Sequence, residues 1–90
     1  MDVDSLSPVS RALLMQALPA GQLVNVLYQD GVRVEVGYDR ERRCFALGER
    51  GWLSFLGWEG APNRGGEYRS LWALTGKAQE LLGSPPRRAA

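Results

Sequence analysis

The alternation of apolar and polar positions is clearest over residues 22–38, where two runs rich in β-branched side chains flank Asp30-Gly31. An Asp-Gly pair between such runs is the strongest short-range signal for a β-hairpin. The turn can contain two residues, Asp30-Gly31, or three, with Gln29 included. We predict the three-residue loop, because it gives the cleaner apolar face and places Gly31 in a left-handed bulge position. The predicted core face of the hairpin is then Val24, Val26, Tyr28, Val32, Val34 and Val36.

A helix is predicted at each end of the chain. Ser7 is a preferred N-cap and Pro8 suits the first helical position, so the first helix begins here and ends before Pro19. Near the C-terminus, Thr75 is the predicted cap of a short helix over residues 76–82. Both helices carry an apolar stripe, which indicates that they pack on a sheet.

Three further strands are predicted after the hairpin, each separated from its neighbours by charged or Gly-rich turns. They cover residues 43–47, 52–58 and 68–74. Because most connections are short, the strands should form an antiparallel meander. The predicted fold is therefore α+β: an N-terminal helix, a five-stranded antiparallel β-meander that becomes a half-barrel if it curls, and a short C-terminal helix. The run 52–58 is apolar on both faces, which is typical of a strand buried on both sides.

The length of 90 residues predicts one small domain. We expect a flexible N-terminus over residues 1–6, a single α+β domain over 7–83 and a flexible tail over 84–90. The formal net charge of +1 argues against the strongly basic surface that is typical of nucleic-acid-binding proteins.

A single cysteine, Cys44, rules out an internal disulfide and favours a reducing compartment. Residues 1–10 lack the basic start and apolar stretch of a signal peptide. No apolar run approaches the roughly 20 residues of a membrane span. The expected location is therefore the cytoplasm, without membrane association.

The chain contains no histidine, which removes the commonest general base and most zinc sites. The carboxylates of Asp39, Glu41 and Glu49 stand among arginines, and an acid catalyst needs a different environment. We interpret them as a solvated charged rim. Gly76-Lys77 lacks the other residues of a phosphate-binding loop. The sequence therefore predicts a non-enzymatic protein with no cofactor and no metal.

The aromatic residues point to binding instead. Core packing accounts for many of them, but Trp, Tyr and Arg are also the residues that dominate protein interfaces. Aromatic and basic side chains together also suit single-stranded nucleic acid, although the balanced charge disfavours it. We predict a small regulator, adaptor or inhibitor that contacts another protein, with a homodimer through an edge strand as a further option. The predicted contact residues are Trp58, Arg64, Tyr68 and Arg69.

Residues 47–82 resemble the end of a winged-helix DNA-binding domain. The similar segments are Glu49-Arg50-Gly51-Trp52-Leu53, a Gly-rich gap, and the run from Tyr68 through Leu74-Thr75-Gly76-Lys77 to Leu82. The resemblance implies a recognition helix over 39–47, wing strands over 52–58 and 68–74, and a wing tip over 59–67. DNA is then the alternative partner, and the residues implied to contact it are Arg40, Arg43, Arg50 and Arg64.

The two hypotheses differ over residues 38–50. A helix there favours DNA binding, and a strand and turn favour the protein-interaction module.

Overall fold

The computed structural model describes residues 2–61 and 66–83. After a 3₁₀ turn at Val3–Ser5, these residues form helices α1, α2 and α3 and strands β1 to β4. The elements in chain order are α1 (Pro8–Ala17), β1 (Gln22–Gln29), β2 (Val32–Arg33), α2 (Glu35–Glu49), β3 (Leu53–Gly60), β4 (Tyr68–Leu74) and α3 (Gly76–Gly83). The strands form one antiparallel sheet in the order β2-β1-β4-β3. The α+β class with an antiparallel sheet is confirmed, but the prediction of five strands is wrong, because the described residues form four.

The two terminal helices begin where their capping residues predict. The Ser7 hydroxyl accepts a hydrogen bond from the backbone N–H of Ser10 at 3.1 Å. The Thr75 hydroxyl accepts one from the backbone N–H of Ala78, also at 3.1 Å. These bonds satisfy amide groups that have no partner within the first helical turn.

The hairpin forms at the predicted Asp-Gly pair, but with a different register. Gln29 pairs directly with Val32, so the turn contains two residues. Asp30 and Gly31 have φ angles of 54° and 75°, the positive values that a tight hairpin turn requires. The predicted three-residue loop and its valine core face are therefore wrong. The core face of β1 is Leu23, Asn25 and Leu27, and Val24, Val32 and Val36 are exposed.

Residues 35–49 form helix α2, although the sequence predicted the end of the second strand, a charged turn and the third strand there. Its buried positions, Gly37, Glu41, Cys44 and Leu47, recur at helical spacing and face the sheet. The consecutive charged residues 39–42 therefore belong to a helix with one wet face, and not to a turn. The glycine and the glutamate in this pattern do not look like core residues, which is why the helical period is hard to see in the sequence.

Gly37 lets α2 lie directly on β1. A Cβ atom at this position would stand 1.7 Å from the backbone carbonyl oxygen of Val26. No real side chain fits there, so the helix reaches its position only because residue 37 is glycine.

Strand β3 lies at the edge of the sheet, and within the described residues its one partner strand is β4. The prediction that this strand is buried on both faces is wrong, since Phe55, Leu56 and Trp58 are all exposed. The main core lies where α1, α3 and the C-terminal half of α2 meet the sheet, and it includes Leu53 at the start of β3. Its largest buried side chains include Trp52, Trp72, Leu14 and Leu47.

Two predictions fall on chain segments outside the described residues. These are the central part of the predicted wing tip and contact loop, including Arg64, and the predicted tail 84–90. Within the described part of the chain, no helix combines the length and apolarity that a membrane crossing requires.

Candidate functional site

A bulge in β3 organises the most prominent exposed surface. Phe55 pairs with Trp72, the next pair along the strand is Gly57 with Leu71, and Leu56 is the extra residue. Gly57 has a φ of 142°, which favours glycine. Without the extra residue, Phe55 and Trp58 would point to opposite faces, because side chains alternate along a strand. The bulge therefore brings both rings to the face of the sheet on which α2 lies.

Six aromatic rings form a continuous row on this face, which we call the aromatic strip. Trp58 stacks on Tyr68 with 5.5 Å between ring centroids and an interplanar angle of 14°. Phe55 lies 5.0 Å from Trp58. The row extends from Phe45 at one end to Tyr38 at the other. Its members are Tyr28, Tyr38, Phe45, Phe55, Trp58 and Tyr68.

The strip is accessible to a partner. Phe45 is 48%, Phe55 40% and Trp58 46% exposed. Underneath, Phe45 and Phe55 pack on Trp72, which is buried, with centroid distances of 5.1 and 5.0 Å. The exposed rings therefore stand on a rigid base, and rigid aromatic anchors are the residues that contribute most to protein binding.

The far end of the strip is a tyrosine pair capped by a cation. The Tyr28 and Tyr38 rings meet edge to face at 6.0 Å, and the Arg33 guanidinium lies 3.9 Å from the centre of the Tyr38 ring. Desolvation and the neighbouring Tyr28 hydroxyl raise the pKa of Tyr38, with Arg33 opposing them. The raised pKa keeps the Tyr38 hydroxyl protonated, and the tyrosine rings give this end of the strip an apolar body with a polar tip.

A buried polar cluster lies beneath the strip, between α2 and the sheet. One carboxylate oxygen of Glu41 accepts hydrogen bonds from the Asn25 side-chain amide at 2.8 Å, from the Trp72 indole at 3.1 Å and from the Ser70 hydroxyl. Asn25, Glu41 and Ser70 are all buried. The other oxygen of Glu41 has no hydrogen-bond partner among the described residues. The cluster joins α2 to β1 and β4, and the sequence interpretation of Glu41 as part of a solvated rim is wrong.

Of the residues predicted to contact a protein, Trp58 and Tyr68 lie together in the strip. Arg69 lies on the opposite face of the sheet, where it forms ion pairs with Glu59, at 3.0 Å, and Glu67. Arg64 is outside the described residues. The sequence did not predict the participation of Phe45 and Tyr38, because residues 35–49 were not assigned to a helix. It did not predict that of Phe55, because the bulge in β3 was not recognised.

The residues implied to contact DNA divide between two places. Arg43 and Arg50 lie on the outer side of α2, near the start of the chain. Arg40 is half-buried, and its Nε atom has no partner among the described residues. The outer face of α2 also carries Asp39, which pairs with Arg42. This face therefore has mixed charge.

Cys44 is completely buried in the core, where desolvation raises the pKa of its thiol. A buried, protonated thiol is a poor nucleophile. Among residues 2–61 and 66–83, no three His, Cys, Asp or Glu side chains gather as a metal site would need.

Comparisons of the chain with family models, with curated proteins and with solved structures found no match.

Proposed function

We propose that the protein is a small non-enzymatic binding protein whose aromatic strip receives an apolar segment of a partner protein. The observation that carries this proposal is the β3 bulge, which aligns Phe55 and Trp58 on one exposed face. Bulges that re-aim side chains are typical of functional sites. The bulge also interrupts the edge of β3, so contact through side chains is favoured over addition of a strand.

The surroundings of the strip favour a protein over a charged ligand. Arg33 is the only cation that lies over one of its rings in the described structure. Phe45 and Phe55 offer apolar surface between α2 and β3. A partner helix or loop that places Leu, Met or aromatic side chains along this cleft would bury both rings together with Trp58.

The test compares two exposed apolar residues of β3, one that belongs to the aromatic strip and one that does not. Trp58→Ala removes the centre of the strip, whereas Leu56→Ala removes the extra residue of the bulge, which has similar exposure and is not a member of the strip. We expect Trp58→Ala to weaken partner binding by about 30-fold or more, since a central Trp is typically worth at least about 2 kcal/mol. Leu56→Ala should bind normally. The measurement is capture by tagged wild-type and variant proteins from the native host, followed by titration of the purified partner.

Equal binding by the two variants would contradict the proposal, provided that circular dichroism shows both to be folded. A second copy of the chain is the other occupant to consider. In that case light scattering should detect a dimer of the wild-type protein and of Leu56→Ala, and a monomer of Trp58→Ala.

A second candidate function is DNA binding, favoured by the order of elements. Helix α2 is followed by the hairpin β3–β4, and β4 pairs with β1. A helix over residues 38–50 is what the winged-helix resemblance implies. The mixed charge of the outer face of α2 disfavours DNA, as does the absence of a second helix between β1 and β3 in the described chain.

The DNA hypothesis makes a clear prediction. With micromolar protein at about 50 mM salt, random duplex DNA should be retarded in a gel, and the retardation should fall steeply by about 200 mM salt. Arg43→Gln/Arg50→Gln should weaken it, and Arg11→Gln/Arg33→Gln, which removes the same charge elsewhere, should not. No retardation at low salt would eliminate this candidate.

A further inference from the structure

A pocket lies on the outer side of α2, away from the aromatic strip. It has a volume of about 450 Å³ and lies between the start of α1 and the C-terminal half of α2. Its polar lining is Ser10, Asp39, Arg42, Arg43 and Arg50, and its apolar lining is Ala46 and Leu47. Because Phe45 points to the other flank of α2, this pocket does not depend on the proposed function of the strip.

Of the three arginines that line this pocket, two form no ion pair within the described structure. Arg42 pairs with Asp39, but Arg43 and Arg50 have no carboxylate partner there. Instead, each donates a hydrogen bond to a serine hydroxyl. Arg43 donates to Ser10 at 3.3 Å, and Arg50 donates to Ser5 at 2.7 Å. The serines therefore hold the two guanidinium groups at the pocket without neutralising them.

Ser10 provides an independent indication of a ligand. Its side chain is 94% buried, at 6% exposure, and lines the pocket. Its hydroxyl oxygen accepts from Arg43, but among the described residues the hydroxyl makes no hydrogen bond as a donor. A buried hydroxyl usually donates as well as accepts. An acceptor oxygen in the pocket would complete its hydrogen bonding.

We propose that this pocket binds the phosphate group of a small phosphorylated molecule. Two free guanidinium charges match a phosphate monoester, which carries about −1.5 to −2 charges at pH 7. Arg donates to phosphate through two N–H groups at once, and the Ser10 hydroxyl supplies a further donor. The pocket volume lies within the range of small-molecule sites, about 300–1,000 Å³, and Ala46 and Leu47 can contact the organic part.

Nearby acidic residues favour a compact anion over a polyanion. Asp2 and Asp4 lie beside Ser5, whose hydroxyl donates to the Asp2 carbonyl oxygen. Glu49 immediately precedes Arg50 on α2. A single phosphate group has to contact only Ser10, Arg43 and Arg50, whereas an extended phosphate backbone would also pass these carboxylates and be repelled by them.

The test uses inorganic phosphate and pyrophosphate as probes of the full chain, followed by amide NMR. We expect saturable shifts at Ser10, Arg43 and Arg50, and at least tenfold weaker binding by Arg43→Gln. The control Arg11→Gln, which removes the same charge from α1 outside the pocket, should bind as the wild type does. Ser10→Ala should also weaken binding, and it tests the site without changing the charge.

Several results would overturn the proposal. Equal affinity of Arg43→Gln and Arg11→Gln would show that only general charge is measured. Scattered, non-saturating shifts would show weak surface association. Shifts with duplex DNA but with neither phosphate nor pyrophosphate would assign the arginines to a nucleic-acid surface.

Discussion

Replacing Gly37 with alanine should destabilise the protein severely. The added Cβ would lie 1.7 Å from the Val26 carbonyl oxygen, and because that oxygen belongs to the backbone, no flexible side chain can turn aside. Helix α2 would have to move away from β1. We expect a loss of about 3 kcal/mol in the free energy of unfolding, which lowers the melting temperature by about 12–24 °C in a domain of this size.

Gly76→Ala is the matched control, because a Cβ atom at position 76 in α3 meets nothing within 4 Å. Alanine favours helix over glycine, so this variant should melt at or slightly above the wild-type temperature. Thermal unfolding followed by circular dichroism measures both variants. A Gly37→Ala protein as stable as Gly76→Ala would show that α2 does not lie on β1 as described.

Replacing Glu41 with alanine should also destabilise the protein severely, because buried hydrogen-bond donors lose their acceptor. In Glu41→Ala, the buried donors of Asn25, Ser70 and Trp72 lose their shared acceptor. Ser70 is then left without an acceptor, and the Asn25 amide and the Trp72 indole keep only their longer contacts, to the Cys44 sulfur at 3.4 Å and to the Ser70 hydroxyl at 3.3 Å. A buried donor left unsatisfied costs about 1–3 kcal/mol, and the lost side chain also leaves a cavity. We expect a loss of about 4 kcal/mol, which is most of the stability of a small domain.

Glu41→Gln separates hydrogen bonding from charge. Glutamine keeps an acceptor oxygen for the three donors, so this variant should remain within about 1 kcal/mol of the wild type. Urea unfolding followed by tryptophan fluorescence reports directly on the cluster, because Trp72 belongs to it. If Glu41→Ala and Glu41→Gln unfold at the same urea concentration, the three hydrogen bonds do not hold α2 on the sheet.

The sequence correctly predicted the helix starts and the hairpin, because residues next to each of these features determine it. Ser7-Pro8 and Thr75 mark the helix starts, and Asp30-Gly31 marks the hairpin. The strand over 68–74 was also correctly predicted. In each case the side chains that determine the structure lie within a few residues of the element.

The errors came from contacts between distant residues. Asn25 is buried only because Glu41, 16 positions later, accepts its hydrogen bond. Judged by polarity alone, Asn25 belongs on the wet face of β1, and that assumption selected the wrong hairpin register. Glu41 and Gly37 in turn concealed the buried face of α2, because neither residue type is typical of a core.

The candidate site was predictable only in part. Trp58 and Tyr68 could be proposed from composition and position, and they stack on one another. Phe45 reached the strip through a helix that was predicted to be a strand. The bulge at Leu56-Gly57 could have been suspected, since a glycine inside an apolar strand often marks one.

Amide hydrogen exchange in the captured complex tests most directly whether the aromatic strip is the binding surface. Exchange at β3 and α2 is compared between the free protein and the complex. We expect new protection at residues 55–58 of β3 and around Phe45 of α2, with none at Val32 on the opposite edge of the sheet. Protection confined to β2, or to the face that carries Val24 and Leu71, would contradict it.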